Sequence, residues 1–334
     1  MGAEQAALFG GLGLLGNIAI LVASLILLDR TSDLSIRNSV KIADVTGFGR
    51  TTIGFTLVAF FSSLSALSVS VFSALGVENI DMAIGNALGS NIVNICLILG
   101  ICVLLAALKK LDYLKFASSI TREEVGNLYF GLFVASIIPL ALIYIGYASR
   151  LIGAILIAIF VGYMILVPRR RATKTEHNAT PERERLPRYS LLASLGGAGV
   201  VFSSFLILDS AVYIAGTAGM PTIIMGSTIV AFGTSLPVLA VSVGAVRRGH
   251  VDMAMGNIIG TCFMNTTFIL GIPLVASTLR VSVATFSSLV MFSVITSLFL
   301  WYFLSSEKIS WREGTMLMFM YFLLLTITFS GYKA

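Results

Sequence analysis

Two decamers of the chain repeat one pattern of glycine and asparagine. They read GNALGSNIVN from Gly85 to Asn94 and GNIIGTCFMN from Gly256 to Asn265. An asparagine side chain in apolar surroundings costs several kcal/mol unless its amide is satisfied. Amides at matching positions of two apolar segments therefore indicate either a binding site of neutral oxygens or hydrogen bonds that join helices.

Hydroxyl groups accompany these amides. Asn94 follows Ser90 by one helical turn, and Asn265 follows Thr261 in the same way, so each pair lies on one helix face. Further hydroxyls occur in a second repeated segment, where Pro237 removes a backbone donor and predicts a helix break. Oxygen ligands of this kind suit hard cations. The candidate cation-binding residues are Ser62, Ser63, Ser90, Asn94, Thr234, Ser235, Thr261 and Asn265.

The surroundings of these residues are apolar along most of the chain. Of 334 residues, 57% are hydrophobic and 11% are charged, whereas soluble domains carry roughly 25% charged residues. The mean hydropathy is +0.96. These values predict an integral membrane protein. The net charge of +6 comes from basic residues in loops, so we predict no nucleic-acid partner.

The apolar runs have the length of membrane-spanning helices. A helix needs about 20 apolar residues to cross a hydrocarbon core of about 30 Å, and such runs are too long and too uniform for barrel strands. We predict an all-α membrane protein with ten transmembrane helices. The predicted spans are 6–29, 52–75, 82–108, 125–147, 150–168, 189–214, 222–246, 253–277, 281–304 and 314–331.

The distribution of basic residues predicts the orientation. With the amino terminus outside, every Lys and Arg except Arg150, Arg280 and Lys333 falls on the inner side, which agrees with the positive-inside rule. Both termini are then predicted to lie outside. The long polar segment 169–188 is predicted to be a cytoplasmic linker, and the compartment to be the cell membrane.

The linker divides the chain into two five-span halves, 1–168 and 189–334. Because five is odd, the halves enter the membrane from opposite sides, which makes them inverted repeats. GFTLVAFFSSLSALSVSV from Gly54 aligns with GSTIVAFGTSLPVLAVSV from Gly226, and ten of twenty positions from Asp81 match those from Asp252. Such repeats place a binding site near the middle of the membrane.

These motifs resemble those of a known family. GTSLP at Gly233–Pro237, with the pattern GN..G....N in both decamers, resembles the alpha repeats of the calcium:cation antiporter superfamily, and of its sodium/calcium exchanger branch in particular. The resemblance places alpha repeats at about 52–108 and 222–277. It implies alternating-access exchange of sodium or protons for calcium, without a cofactor, by ligands from four helices.

The chain departs from the family pattern at its acidic positions. The resemblance implies a glutamate after the GTSLP motif, but Ala66 and Val238 stand at the two equivalent positions, and Asn265 stands where an aspartate is frequent. Calcium sites normally include carboxylates among 6 to 8 oxygens. We therefore predict an altered ion selectivity that disfavours calcium and suits sodium or another monovalent cation.

Two alternative functions fit the same residues. The missing carboxylates are consistent with a non-transporting sensor or scaffold, and an uncharged site beside helix ends is consistent with a carrier of an anion or a small neutral solute. Catalysis is disfavoured because His177 and His250 both lie in predicted inner loops, and no nucleophile, base and orienting residue occur together.

A few other polar residues have two interpretations. Asp209, near the end of the sixth span, is either a functional ionisable residue or an interfacial one. Asp81 and Asp252 are predicted to favour helix starts through the macrodipole. The three cysteines are interpreted as small packing residues: Cys96, Cys102 and Cys262.

Overall fold

The structure is a computed structural model and is almost entirely helical. It describes residues 9–46, 50–75, 80–109, 122–145, 147–169, 183–217, 231–276, 279–280, 283–305 and 310–333. Within these ranges the extended elements are two short strands, β1 (Tyr147–Ala148) and β2 (Leu279–Arg280), which pair antiparallel with Tyr147 opposite Arg280. The all-α prediction is therefore confirmed for the described residues.

Within the described residues, helices lie at the positions of the predicted spans, whereas residues 222–230 of the seventh predicted span lie outside the described residues. Three stretches adopt the wider π-helical turn and are called π1 (Gly54–Val58), π2 (Val93–Ile98) and π3 (Asn265–Ile269). The α-helices are α1 (Gly13–Thr46), α2 (Arg50–Ile53), α3 (Ala59–Ser62), α4 (Leu64–Leu75), α5 (Ile80–Ile92), α6 (Leu99–Leu108), α7 (Arg122–Ile145), α8 (Arg150–Arg169), α9 (Leu186–Thr217), α10 (Ala231–Arg247), α11 (Val251–Met264), α12 (Leu270–Ala276), α13 (Val283–Ser305) and α14 (Trp311–Lys333).

Several of these helices meet the requirements of a membrane span. Four described stretches are long and apolar enough to cross a bilayer: Gly13–Ile42, Gly85–Leu108, Leu186–Ile207 and Val251–Ala276. Shorter apolar helices occupy five further stretches: Thr51–Ser62, Leu128–Leu142, Arg150–Ile165, Ala231–Arg247 and Leu289–Tyr302. Large apolar side chains are exposed on the outer helices, Leu15 and Phe202 among them. An apolar outer surface of this extent suits contact with lipid.

Helices α1 and α9 are longer than predicted, and they pack against each other. We predicted that the first span would end at residue 29, but α1 continues to Thr46. Small polar residues of this continuation, including Ser32 and Ser35, are buried. A Cβ atom placed on Gly196 of α9 would meet the backbone of Ser35. Close approach between the two helices therefore stabilises a stretch whose polar composition does not predict a span.

The glycines of the second decamer bring α11 close to the start of the first repeat. A Cβ atom placed on Gly256 would meet the carbonyl oxygen of Thr51, and one placed on Gly260 would meet that of Phe55. The side chains of α11 from Met253 onward are buried. These two glycines therefore allow close helix packing, which places the polar residues of α11 in the centre of the molecule.

Replacing Gly256 by alanine is expected to lower the thermal stability of the protein. The added methyl group would meet Thr51 and force backbone shifts that typically cost roughly 1–3 kcal/mol. Gly85 is the matching position of the first decamer, and none of the described atoms lies within 4 Å of a Cβ atom placed there. Gly85→Ala is thus a matched control that should melt close to the wild type in the same detergent. An equal loss of stability in both variants would contradict the close approach at Gly256.

Candidate functional site

Four helical stretches carry the residues predicted to bind a cation, and all eight side chains are buried. Two stretches come from each predicted repeat, and they lie against one another in the core. Ser62 ends α3, Ser63 lies between α3 and α4, Ser90 lies in α5, Asn94 in π2, Thr234 and Ser235 in α10, Thr261 in α11, and Asn265 begins π3.

The interruption of a helix lies in the first repeat and not where we predicted it. Helix α10 continues from Ala231 to Arg247 through Pro237, so the predicted break at this proline is wrong. A proline removes one backbone donor, and the remaining hydrogen bonds of α10 keep it helical. The interruption occurs at Ser63, which has φ −91° and ψ −4° and separates α3 from α4.

The two asparagines predicted to bind a cation both lie in π-helical turns. Asn94 is the second residue of π2, and Asn265 is the first residue of π3. In the repeat alignment these two segments coincide within one residue. A π-helical turn inserted in an α-helix is frequently associated with a functional site, and here it occurs at the same place in both repeats.

Two matching hydrogen bonds join the repeats. Ser62 Oγ donates to Asn257 Oδ1 at 2.9 Å, and Thr234 Oγ1 donates to Asn86 Oδ1 at 2.8 Å. Ser62 is equivalent to Thr234 and Asn257 to Asn86 in the repeat alignment. Each repeat therefore supplies the hydroxyl of one bond and the amide of the other, and the two bonds are related by the internal symmetry.

The hydroxyls of Ser90 and Thr261 extend the same pattern. Ser90 Oγ lies 3.2 Å from Thr234 Oγ1, and Thr261 Oγ1 lies 3.5 Å from Ser62 Oγ. Thr261 also donates to the Asn257 carbonyl oxygen at 2.7 Å. The last of these bonds lies within α11. The contacts of Ser90 with Thr234 and of Thr261 with Ser62 join different helices, which agrees with the interpretation of these polar residues as links between helices. A hydroxyl whose hydrogen is directed at another acceptor nevertheless keeps lone pairs that can bind a cation.

The other four predicted residues have polar atoms without a hydrogen-bond partner among the described residues. These atoms are Ser63 Oγ, Ser235 Oγ, Asn265 Oδ1 and both amide atoms of Asn94. Ser63 is 1% exposed, Ser235 is 2% exposed, and both asparagines are fully buried. Leaving a buried polar group unsatisfied costs roughly 1–3 kcal/mol. Four such residues, forming two symmetry-related pairs, indicate a place prepared for a ligand.

The geometry adds a residue that the sequence did not single out. Asn265 Nδ2 donates to Asn91 Oδ1 at 3.0 Å, and both residues are buried. The position equivalent to Asn91 in the second repeat is Cys262, so internal repetition gave no signal for it. The burial cost of an isolated amide in an apolar helix is the signal that could have found it.

The two positions at which the resemblance implies glutamate are deep in the core. Ala66 is 3% exposed and Val238 is 1% exposed. In the part of the chain that the structure describes, His, Cys, Asp and Glu form no group of three or more suited to a metal ion. The eight predicted residues are all uncharged at neutral pH, so the candidate site offers a cation only dipoles.

Two of the acidic residues considered in the sequence analysis, Asp209 and Asp252, accept hydrogen bonds from backbone N–H groups. Asp209 accepts a hydrogen bond from the backbone N–H of Phe9 at 3.3 Å, which ties the end of α9 to the segment before α1. Asp252 lies in the first turn of α11 and accepts from the N–H of Met253 at 2.9 Å, as predicted for a helix start. The side chain of Asp81 lies outside the described part of the chain.

The apolar exposed surface, the helical fold and the buried polar centre shared by two repeats define an integral membrane protein of the transporter class. The sequence matches the family model for the sodium/calcium exchanger protein over residues 16–167 and 189–330. The chain belongs to this family. It is a membrane cation antiporter of the exchanger type and not an enzyme.

Curated relatives span most of the chain. The sodium/calcium exchanger MaX1 of Methanosarcina acetivorans is 30% identical over 94% of this chain and 98% of its own length. The inner membrane protein YrbG of Escherichia coli is 30% identical over 76% of this chain and 78% of its own. The putative antiporter CaxA of Alkalimonas amylolytica is 33% identical over 78% and 80%.

Solved structures of the sodium-calcium exchanger NCX_Mj share the fold. The structure soaked with 10 mM Na+ and zero Ca2+ has a TM-score of 0.79 and 26% sequence identity, and the match covers 94% of this chain and 99% of that chain. The predicted fold class of a helical membrane protein with inverted repeats is thus confirmed. The number of ten spans stays a prediction.

Proposed function

We propose that this antiporter has an ion selectivity shifted from calcium toward sodium or another monovalent cation. The observation that carries the proposal is the pair of symmetry-related sets of unpartnered neutral oxygens, on Ser63 with Asn94 and on Ser235 with Asn265. The proposed site is completed by the lone pairs of four hydroxyl oxygens, those of Ser62, Ser90, Thr234 and Thr261. Ala66 and Val238 add no negative charge to it.

The physical reason is the cost of removing a cation from water. The idealised cost of moving an ion into a low-dielectric interior rises with the square of its charge, and in real proteins it is still several kcal/mol for a unit charge. Carboxylates offset this cost for calcium. The dipoles of serine, threonine and asparagine offset less of this dehydration cost. A site made only of such groups therefore favours a monovalent over a divalent cation.

The orientation of the chain is part of the proposal. Halves 1–168 and 189–334 are proposed to form the two repeats, with the linker 169–188 on the cytoplasmic side and both termini outside. Contacts support the grouping of the predicted inner segments on one side of the membrane: Arg248 pairs with Asp33 at 2.6 Å, and Lys109 Nζ donates to the Arg247 carbonyl oxygen at 2.7 Å. Pairing of β1 with β2 joins two predicted outer segments.

The test is the thermal stability of the purified protein in sodium, potassium, magnesium, calcium, manganese, protons and simple anions at fixed ionic strength. A ligand that binds only the folded state raises its stability by about 2.7 kcal/mol at one hundred times its dissociation constant. We expect stabilisation by sodium or potassium and little by calcium. The variants Asn94→Ala and Asn265→Ala should each be stabilised less by sodium or potassium than the wild type.

Each other result has a defined meaning. Strong stabilisation by calcium would contradict the proposed selectivity and favour ordinary sodium/calcium exchange. Stabilisation by an anion would favour the carrier of an anion or small solute. A flat response to every ion, from a protein that unfolds cooperatively, would favour a non-transporting sensor or scaffold.

A further inference from the structure

The two asparagines of the candidate site differ in how their amides are held. Asn265 Nδ2 donates to Asn91 Oδ1 at 3.0 Å, which occupies the amino end of the Asn265 amide. Its carbonyl oxygen, Oδ1, is buried and has no hydrogen-bond partner among the described residues. The hydrogen bond that Asn265 donates to Asn91 of α5 thus leaves the acceptor end of the Asn265 amide available.

The equivalent contact in the other half is made by a thiol. Cys262 stands at the position that matches Asn91 in the repeat alignment, and its thiol lies near the amide of Asn94. A thiol is only a weak donor and acceptor. Neither amide atom of Asn94 has a partner that meets the distance and angle of a hydrogen bond among the described residues, so the weak contact with the thiol restrains the Asn94 amide less than Asn91 restrains the Asn265 amide.

The orientation of an amide decides whether it attracts or repels a cation. Its carbonyl oxygen carries the negative end of the dipole and its amino group carries the positive end. Rotation about the last side-chain bond exchanges the two ends, and this torsion is soft in asparagine. A hydrogen bond that engages only the amino group therefore selects the orientation that can bind a cation.

We propose that Asn91 is a positioning residue for the cation site. It accepts from Asn265 Nδ2 and so keeps Asn265 Oδ1 directed away from the hydrogen bond, as an oxygen ligand, while Cys262 leaves the amide of Asn94 free to reorient. The site then consists of one fixed and one adjustable amide ligand. This inference rests on the proposed function and deepens it, because it names the residue that prepares one ligand before the ion arrives.

Exchanging the residues at the two equivalent positions tests the inference. The variants are Asn91→Cys, which loosens the Asn265 amide, Cys262→Asn, which gives the Asn94 amide a partner, and the double variant, which exchanges the two arrangements. The probe is sodium, measured as uptake of labelled sodium into liposomes that contain the full-length protein. The half-saturating sodium concentration and the maximal rate are recorded separately.

We expect Asn91→Cys to raise the half-saturating sodium concentration about tenfold. A tenfold change corresponds to about 1.4 kcal/mol of binding free energy, which is close to the net contribution of one hydrogen bond. The maximal rate should change little. Cys262→Asn should lower the half-saturating concentration, and the double variant should return it close to the wild-type value. A purely structural role for Asn91 does not predict recovery by a substitution in the other repeat.

Asn38→Cys is the matched control. Asn38 is another buried asparagine, and its Nδ2 donates to the Leu34 carbonyl oxygen at 2.7 Å, so the same substitution removes a buried amide from α1, which carries none of the proposed cation-binding residues. It should lower thermal stability without raising the half-saturating sodium concentration as Asn91→Cys does.

The outcomes separate the inference from the function on which it rests. Sodium uptake by the wild type with an unchanged half-saturating concentration in Asn91→Cys would overturn the inference alone. So would an equal increase in Asn38→Cys, or a folded double variant that stays as weak as Asn91→Cys. A wild-type protein that neither binds nor transports sodium would overturn the proposed function and the inference with it.

Discussion

Replacing Asn94 and Asn265 together by alanine is expected to abolish cation transport while leaving the protein folded. Each single substitution should raise the half-saturating sodium concentration by about tenfold, as expected for the loss of one polar ligand. The fold should survive because both amide atoms of Asn94 and Oδ1 of Asn265 have no hydrogen-bond partner among the described residues. Among the described residues, the double substitution removes the hydrogen bond from Asn265 to Asn91 and a weak contact of Asn94 with the Cys262 thiol.

Sodium uptake into liposomes and thermal unfolding in detergent measure the two parts of this prediction. Asn38→Ala is a suitable control, because Asn38 is also a buried asparagine within a helix and donates to the Leu34 carbonyl oxygen at 2.7 Å. Its removal should leave the half-saturating sodium concentration unchanged. Full transport by the double variant of Asn94 and Asn265 would show that these two amides do not bind the transported cation.

Introducing glutamate at Ala66 and Val238 is expected to change calcium binding and intrinsic stability in opposite directions. Both positions are buried, and an uncompensated buried charge costs several kcal/mol. Without a divalent ion the Ala66→Glu and Val238→Glu variants should therefore melt well below the wild type. With calcium they should recover, because the added carboxylates supply the charge that calcium sites require.

The isosteric pair Ala66→Gln and Val238→Gln separates charge from shape. These variants carry side chains of nearly the same size and should lose stability, but calcium should not restore it. Calcium titrations followed by thermal unfolding distinguish the two pairs. If the glutamate and glutamine variants respond alike to calcium, the carboxylates at these positions do not reach the ion.

The polar centre could be predicted from the sequence because the free-energy cost of burying polar side chains applies at the same positions of both repeats. Buried amides and hydroxyls at matching positions need polar partners, and the structure shows that Ser62 and Thr234 donate to the amide oxygens of Asn257 and Asn86 across the repeats. The division between hydrogen-bonded hydroxyls and unpartnered oxygens was not predictable. It depends on distances between side chains of different helices, which a linear pattern does not contain.

The other differences between the predicted and the observed structure have causes that can be named residue by residue. Asn91 had no partner in the repeat alignment, since Cys262 stands at the matching position, and its role depends on a contact with Asn265. The extension of α1 to Thr46 was missed because polar residues end a hydrophobic run in sequence. Packing against α9 decides its conformation. The break predicted at Pro237 instead lies at Ser63.

The crossed hydrogen bonds between the repeats also determine the order in which the centre can be assembled during synthesis. Ser62 and Asn86 belong to the half that leaves the ribosome first, whereas their partners Asn257 and Thr234 are made later. Chains are synthesised from the amino terminus, so the first half must reside in the bilayer for a time with these groups unpaired. The polar centre therefore closes only after α11 has been inserted, and its completion is a late event in the biogenesis of the protein.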